Sequence, residues 1–141
     1  MPLSTAIAAS ASALDAQRAR LEVAVSNIAN AESTRGPDGK PYRRRDVLLT
    51  AEPMQSFDAT LGKARATGVK VRDVVEDAAP YKQRYEPSHP DADPKGYVSV
   101  PNVDVPEEMV DMLGAARAYQ ANLSAIGLIK DTIQRALELG K

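Results

Sequence analysis

The sequence of residues 106–141 is PEEMVDMLGAARAYQANLSAIGLIKDTIQRALELGK. Its larger apolar side chains recur at alternating steps of three and four residues, which is the a/d repeat of a coiled-coil helix. Pro106 suits a first helical turn, and the charges of Glu107 and Glu108 favour the positive end of the helix dipole. Asp104 with Glu107 also fits a capping pair, which would place the start slightly earlier. The predicted seam of this helix is Met109, Met112, Ala116, Tyr119, Leu123, Ile126, Lys130, Ile133 and Leu137.

A second long helix is predicted at the other end of the chain, over residues 3–32. Glycine is absent from this segment and alanine is abundant, both of which favour helix. Apolar residues recur every seven positions, but the companion positions at 10, 17 and 24 are Ser, Gln and Ala, so the stripe is narrow. Because a helix with so narrow a stripe is marginal alone, we expect it to pack against the C-terminal helix. Its stripe residues are Ile7, Leu14, Leu21 and Ile28.

The middle of the chain has a different composition. Nine of the ten prolines lie between positions 37 and 106, which excludes a continuous helix there. Turns are predicted at 35–41 and 88–96, and a mobile insertion at 54–68. Short strands are predicted at 46–52, 69–75 and 97–100, with residues 81–85 pairing with the second of these.

The predicted fold is therefore mainly α, with a small β-rich insertion between two long terminal helices. The helices are expected to pack as an antiparallel, coiled-coil-like pair. The predicted organisation is one structural domain, made of an N-terminal axial helix (1–33), a β-rich and loop excursion (34–105) and a C-terminal axial helix (106–141).

Composition argues against several kinds of function. The 141 residues include no cysteine and one histidine, so a zinc site lacks ligands. The net charge of −1 provides no bulk attraction to nucleic acid or to an anionic membrane. No stretch is long and apolar enough to span a bilayer, and no cleavable signal peptide is visible. Asp91 and Asp93 fit a turn better than a calcium loop, because the glycine and glutamate of that loop are missing. We expect no catalytic site, no metal and no cofactor.

Two stretches carry a resemblance to a known family. Residues 26–31, SNIANA, are similar to a signature near the N-terminus of bacterial flagellar axial proteins, the rod and hook subunits. Residues 116–123, ARAYQANL, are similar to the C-terminal segment of the same family. The resemblance to the family also covers residues 97–112. Within the family, residues 31–45 and 75–96 are most similar to the proximal-rod members.

This resemblance implies a non-enzymatic, structural role. Subunits of the family stack into a hollow shaft, with their terminal helices packed around a central channel. They leave the cytoplasm unfolded through the flagellar type III export gate, without cleavage, and lie in the periplasmic rod of the basal body. The implied partners are copies of the chain, other rod subunits, and export-gate and inner-ring components at the rod base. The alternatives are another axial subunit, of distal-rod or hook type, and a small helical nucleic-acid-binding module.

Polar residues supply two further candidates. Asn27 and Asn30 are unfavourable within a helix, so they either cap the end of the first helix or bond across to neighbouring helices. Arg43, Arg44 and Arg45 form a basic run, which we interpret as an intersubunit charge contact; a solvated loop and a nucleic-acid site are the alternatives. The predicted assembly interface comprises Ile7, Leu14, Leu21, Asn27, Ile28, Asn30, Met109, Met112, Ala116, Tyr119, Leu123, Ile126, Ile133 and Leu137.

Overall fold

The computed structural model describes residues 3–53 and 67–139. Along the chain, one long helix precedes four strands and a second long helix follows them. Their bounds are α1 Leu3–Ala29, β1 Arg45–Pro53, β2 Thr67–Glu76, β3 Lys82–Tyr85, β4 Tyr97–Val100 and α2 Val105–Leu139. The prediction of two long helices with a small β region between them is confirmed.

The start of α2 is fixed by a side-chain cap. Asp104 Oδ1 accepts a hydrogen bond from the backbone N–H of Glu107 at 3.2 Å, and Pro106 lies in the first turn. An aspartate in this position satisfies one of the free N–H groups at a helix start. The helix therefore begins at Val105, as the capping pair indicates, one residue before Pro106.

The first helix ends earlier than the predicted residue 32. It stops at Ala29, where the side-chain Nδ2 of Asn30 donates to the carbonyl of Ser26 at 2.9 Å. The carbonyl of Asn30 in turn accepts from the N–H of Ser33 at 3.1 Å, so the chain turns away. The Ser26 carbonyl also accepts the last α-helical bond, from the N–H of Asn30 at 3.1 Å, and the next N–H, that of Ala31, donates to the carbonyl of Ile28 at 3.2 Å in the tighter spacing of a 3₁₀ turn.

The two helices run antiparallel and pack together. Asn27, near the end of α1, bonds to Glu108 in the first turns of α2, and Arg20 lies 4.0 Å from Asp111. The α2 residues that face α1 recur at steps of four and three, and each is buried or half-buried. They are Glu108, Met112, Ala115, Tyr119, Asn122, Ile126, Ile129 and Ile133.

This packing face is offset from the predicted seam. Met112, Tyr119, Ile126 and Ile133 belong to both sets, but the alternate positions of the packing face are Glu108, Ala115, Asn122 and Ile129. The displaced seam residues Met109, Ala116, Leu123, Lys130 and Leu137 are exposed. Small side chains are among the most buried residues of the two helices: Ala16, Ala24 and Ala115 are all buried.

Strands β1 and β2 form an antiparallel hairpin alongside α1. Its pairing runs from Arg45 opposite Glu76 to Pro53 opposite Thr67, so both predicted strands are confirmed and extend slightly further. The backbone N–H of Val69 donates to Ser12 Oγ at 3.1 Å, which ties the far part of the hairpin to the first half of α1.

A register shift in this hairpin lies between Leu48 and Leu49. It leaves Arg72 as an extra residue in β2, in the manner of a β-bulge. Since side chains alternate between the faces of a strand, the extra residue keeps Val71 and Val74 on one face. Between the end pairs Arg45–Glu76 and Pro53–Thr67, that face is apolar and comprises Val47, Leu49, Ala51, Val69, Val71 and Val74.

The second sheet corrects a predicted pairing. Strand β3 pairs with β4, from Lys82 opposite Val100 to Tyr85 opposite Tyr97, and not with β2. The loop between them folds back because Asp93 Oδ1 accepts from the N–H groups of Lys95 and Tyr97, at 2.8 and 2.9 Å. Because these local bonds turn the chain back on itself, β4 lies beside β3 and pairs with it as a hairpin.

This sheet supplies much of a small core. Among the described residues, the buried apolar side chains are Ala16, Ala24, Val98, Val100, Val103 and Ala115. The segment predicted to be a mobile insertion, 54–68, lies outside the described residues except for Thr67 and Gly68, which belong to β2.

Candidate assembly site at the helix junction

A buried asparagine joins the end of α1 to two other parts of the chain. Asn27 is fully buried, and its Nδ2 donates to the carbonyl of Arg45 at 2.8 Å and to Glu108 Oε2 at 2.9 Å. Its Oδ1 accepts from the Tyr42 hydroxyl and from the N–H of Arg45, both at 2.9 Å. An amide side chain offers two donors and two acceptor positions, so all four are used.

The carboxylate of Glu108 holds the second half of this network. Glu108 is 2% exposed, and its Oε1 accepts a hydrogen bond of 2.6 Å from Arg44 Nε. Burial by itself would lower the pKa of Arg44, but the hydrogen bond and charge of Glu108 outweigh it, so that this pKa is raised from its ordinary value. We call this group of residues (Asn27, Tyr42, Arg44, Arg45 and Glu108) the helix junction.

The three arginines of the basic run, Arg43, Arg44 and Arg45, have different partners. Arg44 points its Nε to Glu108, and Arg43 Nη1 donates to the carbonyls of Asp77 and Ala79 at 3.0 and 3.3 Å. The Arg43 guanidinium also lies over the Tyr81 ring, 4.7 Å from its centroid.

Arg45 is the most exposed of the three arginines. Its guanidinium lies 5.6 Å from the centroid of the Tyr42 ring, and its Nη2 is 3.6 Å from Glu76 Oε1. All three arginines therefore have partners within the chain, and the Arg45 side chain is the one open to a neighbour.

The two candidate asparagines take different roles. Asn27 bonds across to α2, whereas Asn30 bonds to Ser26 and Ser33 in its own turn. On α1, the predicted stripe residues are half-buried; they are Ile7, Leu14, Leu21 and Ile28.

Sequence reasoning missed the role of Glu108. Position 108 was assigned to the helix dipole with Glu107, but its side chain is buried in the helix junction and Glu107 is exposed. Its position relative to Met112 could have revealed this: Glu108 lies four residues earlier, on the same face of the helix. A carboxylate there requires buried donors, which Asn27 and Arg44 provide.

The loop after β3 is held by acidic side chains. Asp91 Oδ2 accepts from the Thr34 hydroxyl at 2.8 Å, and its Oδ1 lies 2.7 Å from Arg35 Nη2. The N–H of Asp91 donates to His89 Nδ1 at 3.0 Å. These bonds tie the turn at 88–96 to the chain that follows α1.

Within residues 3–53 and 67–139, no three histidine, cysteine or acidic side chains are grouped as metal ligands would be. In the same part of the chain, neither helix combines the length and hydropathy needed for a membrane span.

Comparison with known proteins identifies the family. Residues 7–37 match the model for flagella basal body rod proteins, and residues 95–139 match the model for the C-terminal part of flagellar basal body rod FlgEFG proteins. Both halves of the helix junction, Asn27 and Glu108, lie within these matches.

Individual relatives cover nearly the full chain. The flagellar basal-body rod protein FlgC of Escherichia coli O6:H1 is 49% identical over 131 residues, with 92% of each chain covered. That of Bacillus subtilis is 42% identical, with 94% of each chain covered. That of Aquifex aeolicus is 38% identical, with 100% of this chain and 99% of the relative covered. This chain therefore belongs to the FlgC family of flagellar basal-body rod proteins.

Proposed function

We propose that this chain is a structural subunit of the flagellar basal-body rod and assembles with copies of itself and other rod subunits through the helix faces left open in the single chain. The observation that carries this proposal is the row of exposed apolar side chains on α2. Met109 is 47% exposed, Leu113 55% and Leu123 53%. Such a row costs free energy in water and is typical of an interaction surface.

The geometry of α2 separates this row from the face that packs against α1. Met109, Leu113, Ala116 and Leu123 each follow a position of the packed face by one residue. One residue corresponds to a rotation of about 100° around an α-helix. The row, which we call the outer stripe, therefore lies beside the α1 contact and is available to a second helix, in a coiled-coil-like arrangement.

The helix junction supports this function by fixing the two helices relative to each other. Its hydrogen bonds set where the end of α1 meets the start of α2, as a buried polar group sets register in a coiled coil. With this register defined, the outer stripe of α2 and the exposed side of α1 keep the same position and orientation relative to each other. Repeated packing of identical subunits requires such a fixed surface.

The family and the small core support a proposal for export and location. We propose passage through the flagellar type III gate in unfolded form, followed by assembly in the periplasmic part of the basal body, beside export-gate and inner-ring components. The core, largely valine and alanine, contains few large side chains, so unfolding before export costs little. Absence of cysteine is compatible with this route.

A matched pair of variants tests the assembly surface. Leu123→Asp places a charge on the outer stripe, and Thr132→Asp places the same charge on the same helix. The two positions are nine residues apart, which corresponds to a rotation of about 900°, or two and a half turns of the helix. The control charge therefore lies on the opposite side of α2. We expect Leu123→Asp to keep the helical circular dichroism of the single subunit but to abolish rod assembly and swimming.

Soft-agar motility and electron microscopy of basal bodies measure the outcome. Thr132→Asp is expected to assemble and swim normally. Complete rods in the Leu123→Asp strain would show that the outer stripe is not an assembly surface.

A further inference from the structure

An open groove lies beside the helix junction, between the end of α1, the turn that follows it and Tyr81. Its volume is about 600 Å³, which is in the range of ligand-binding clefts. The residues that line it are Asn30, Ser33, Arg35, Gly36, Pro37, Asp38, Lys40, Pro41, Tyr42, Arg43, Arg45, Glu76 and Tyr81.

The walls of the groove are held by bonds within the chain. The N–H of Gly36 donates to the carbonyl of Lys40 at 2.7 Å, and the N–H of Tyr42 donates to the carbonyl of Ser33 at 3.1 Å. Across the groove, the Tyr81 hydroxyl donates to the carbonyl of Pro41 at 3.1 Å. The groove is therefore formed before any partner arrives, which lowers the entropy cost of binding.

The groove is positively charged on a chain whose net charge is −1. Four of its lining side chains are cationic, at positions 35, 40, 43 and 45, and two are acidic, Asp38 and Glu76. Arg35 is already paired with Asp91 at 2.7 Å, so three cationic groups remain against the two acids. A concave surface of one sign concentrates the field and attracts groups of the opposite sign.

Several donors on these cationic side chains have no acceptor among the described residues. Lys40 makes no ion pair there, and the nearest carboxylate to the Arg45 guanidinium is 3.6 Å away. Within the described residues, Arg43 donates its hydrogen bonds through Nη1. Since a guanidinium carries five N–H donors in a planar fork, Arg43 and Arg45 can each bind a carboxylate.

The same features disfavour nucleic acid. Arg43 already covers one face of Tyr81 and Arg45 covers one face of Tyr42, which limits stacking of bases on these rings. Asp38 and Glu76 repel a continuous polyanion, whereas a peptide can place its carboxylates opposite the arginines and its N–H groups opposite these acids.

We propose that the groove binds an extended, carboxylate-bearing peptide segment of a neighbouring protein subunit. Such a segment would be the partner in the intersubunit charge contact predicted for the basic run. The proposal therefore rests on the proposed role of the chain as an assembling subunit. The cationic side chains of Lys40 and Arg45 carry the contact, and Arg43 forms the wall behind them.

A peptide of alternating glutamate and glycine is the probe, and its glutamine counterpart is the control. Nuclear magnetic resonance of the full-length, labelled subunit is expected to show shifts of the backbone amides of Ser33, Gly36 and Lys40 with the acidic peptide only. Two exposed ion pairs account for about a five- to tenfold change in affinity. The Lys40→Gln/Arg45→Gln double variant should therefore lose about that factor.

The matched control is Arg72→Gln/Lys95→Gln, which removes the same charge from exposed positions outside the groove. It should bind the acidic peptide within about twofold of the unmodified chain. The proposal is overturned if the acidic peptide shifts no groove amide, if both double variants weaken binding equally, or if a single-stranded oligonucleotide binds more tightly than the peptide. If any of these results is found in a strain that builds normal rods, the groove proposal is refuted but the proposed structural role is not.

Discussion

The buried carboxylate of Glu108 is the most informative residue to change. Glu108→Gln preserves the shape of the side chain but removes its charge and one of its two acceptor oxygens. The new amide nitrogen takes the place of one oxygen and faces either Asn27 Nδ2 or Arg44 Nε, so one of these two donors meets another donor and loses its partner. A hydrogen bond to a charged group contributes about 1.5–3 kcal/mol, and breaking a buried ion pair costs about 3–5 kcal/mol.

The expected loss lies where these two ranges meet. The Arg44 side chain is 21% exposed, so water recovers part of the lost interaction. We expect the free energy of unfolding to fall by about 3 kcal/mol, which lowers the melting temperature of a chain of this size by about 10 °C. Urea and thermal unfolding followed by circular dichroism, at concentrations where the subunit is monomeric, measure both quantities.

Glu107→Gln is the control, because it removes the same charge from the neighbouring position of the same helical turn. Glu107 is exposed, so its contribution comes from the helix dipole and should not exceed about 1 kcal/mol. A loss below about 1 kcal/mol for Glu108→Gln, or equal losses for the two variants, would refute the assignment of Glu108 to the helix junction. In a double-mutant cycle with Arg44→Ala, the two changes should be strongly non-additive.

Three further outcomes are expected. Gly96→Ala should destabilise the chain by about 1–3 kcal/mol in urea unfolding, because Gly96 has φ 84° and an added Cβ would lie 2.9 Å from the Tyr85 ring. Gly39→Ala, at φ 77° with no atom within 4 Å of the added Cβ, should cost less, and equal losses would refute the steric argument. Ser12→Ala removes the bond to the hairpin and should speed exchange of the Val69 amide with little change in global stability; an unchanged exchange rate would contradict that contact. The raised pKa of Arg44 means that its contribution is fully present below the ordinary arginine value and is lost only as the pH rises through the raised one. The difference in unfolding free energy between the unmodified chain and Arg44→Ala should therefore stay constant from about pH 7 to pH 9, and a decline over that range would contradict it.

Local signals in the sequence were enough to predict the elements. The Asp104 cap, the alternation around Val69 and Val71, and the density of prolines between the helices each act within a few residues. They predicted both helices, the hairpin strands and β4, since short-range preferences decide which elements form here. The predicted end of α1 at residue 32 is wrong because the apolar pattern does not encode the tighter turn that begins at Ala31.

Long-range choices could not be predicted in the same way. The α2 face that packs on α1 is defined by Ala115 and Glu108, and neither stands out in a search for large apolar residues. The partner of β3 depended on the turn bonds of Asp93, which bring β4 closer than β2. The network at Asn27 depends on residues far away in the sequence, so no local pattern indicates it.

The distance along the chain between the two ends of this network governs when it can form. Asn27 and Glu108 are 81 residues apart, so bringing them together closes a loop at an entropy cost of roughly 4 kcal/mol. Without α2, the Asn27 amide lacks its bond to Glu108 and keeps only Tyr42 and Arg45 as partners. The junction is therefore complete only when residue 108 is present, and until then the end of α1 lacks the side-chain bond that fixes it to α2.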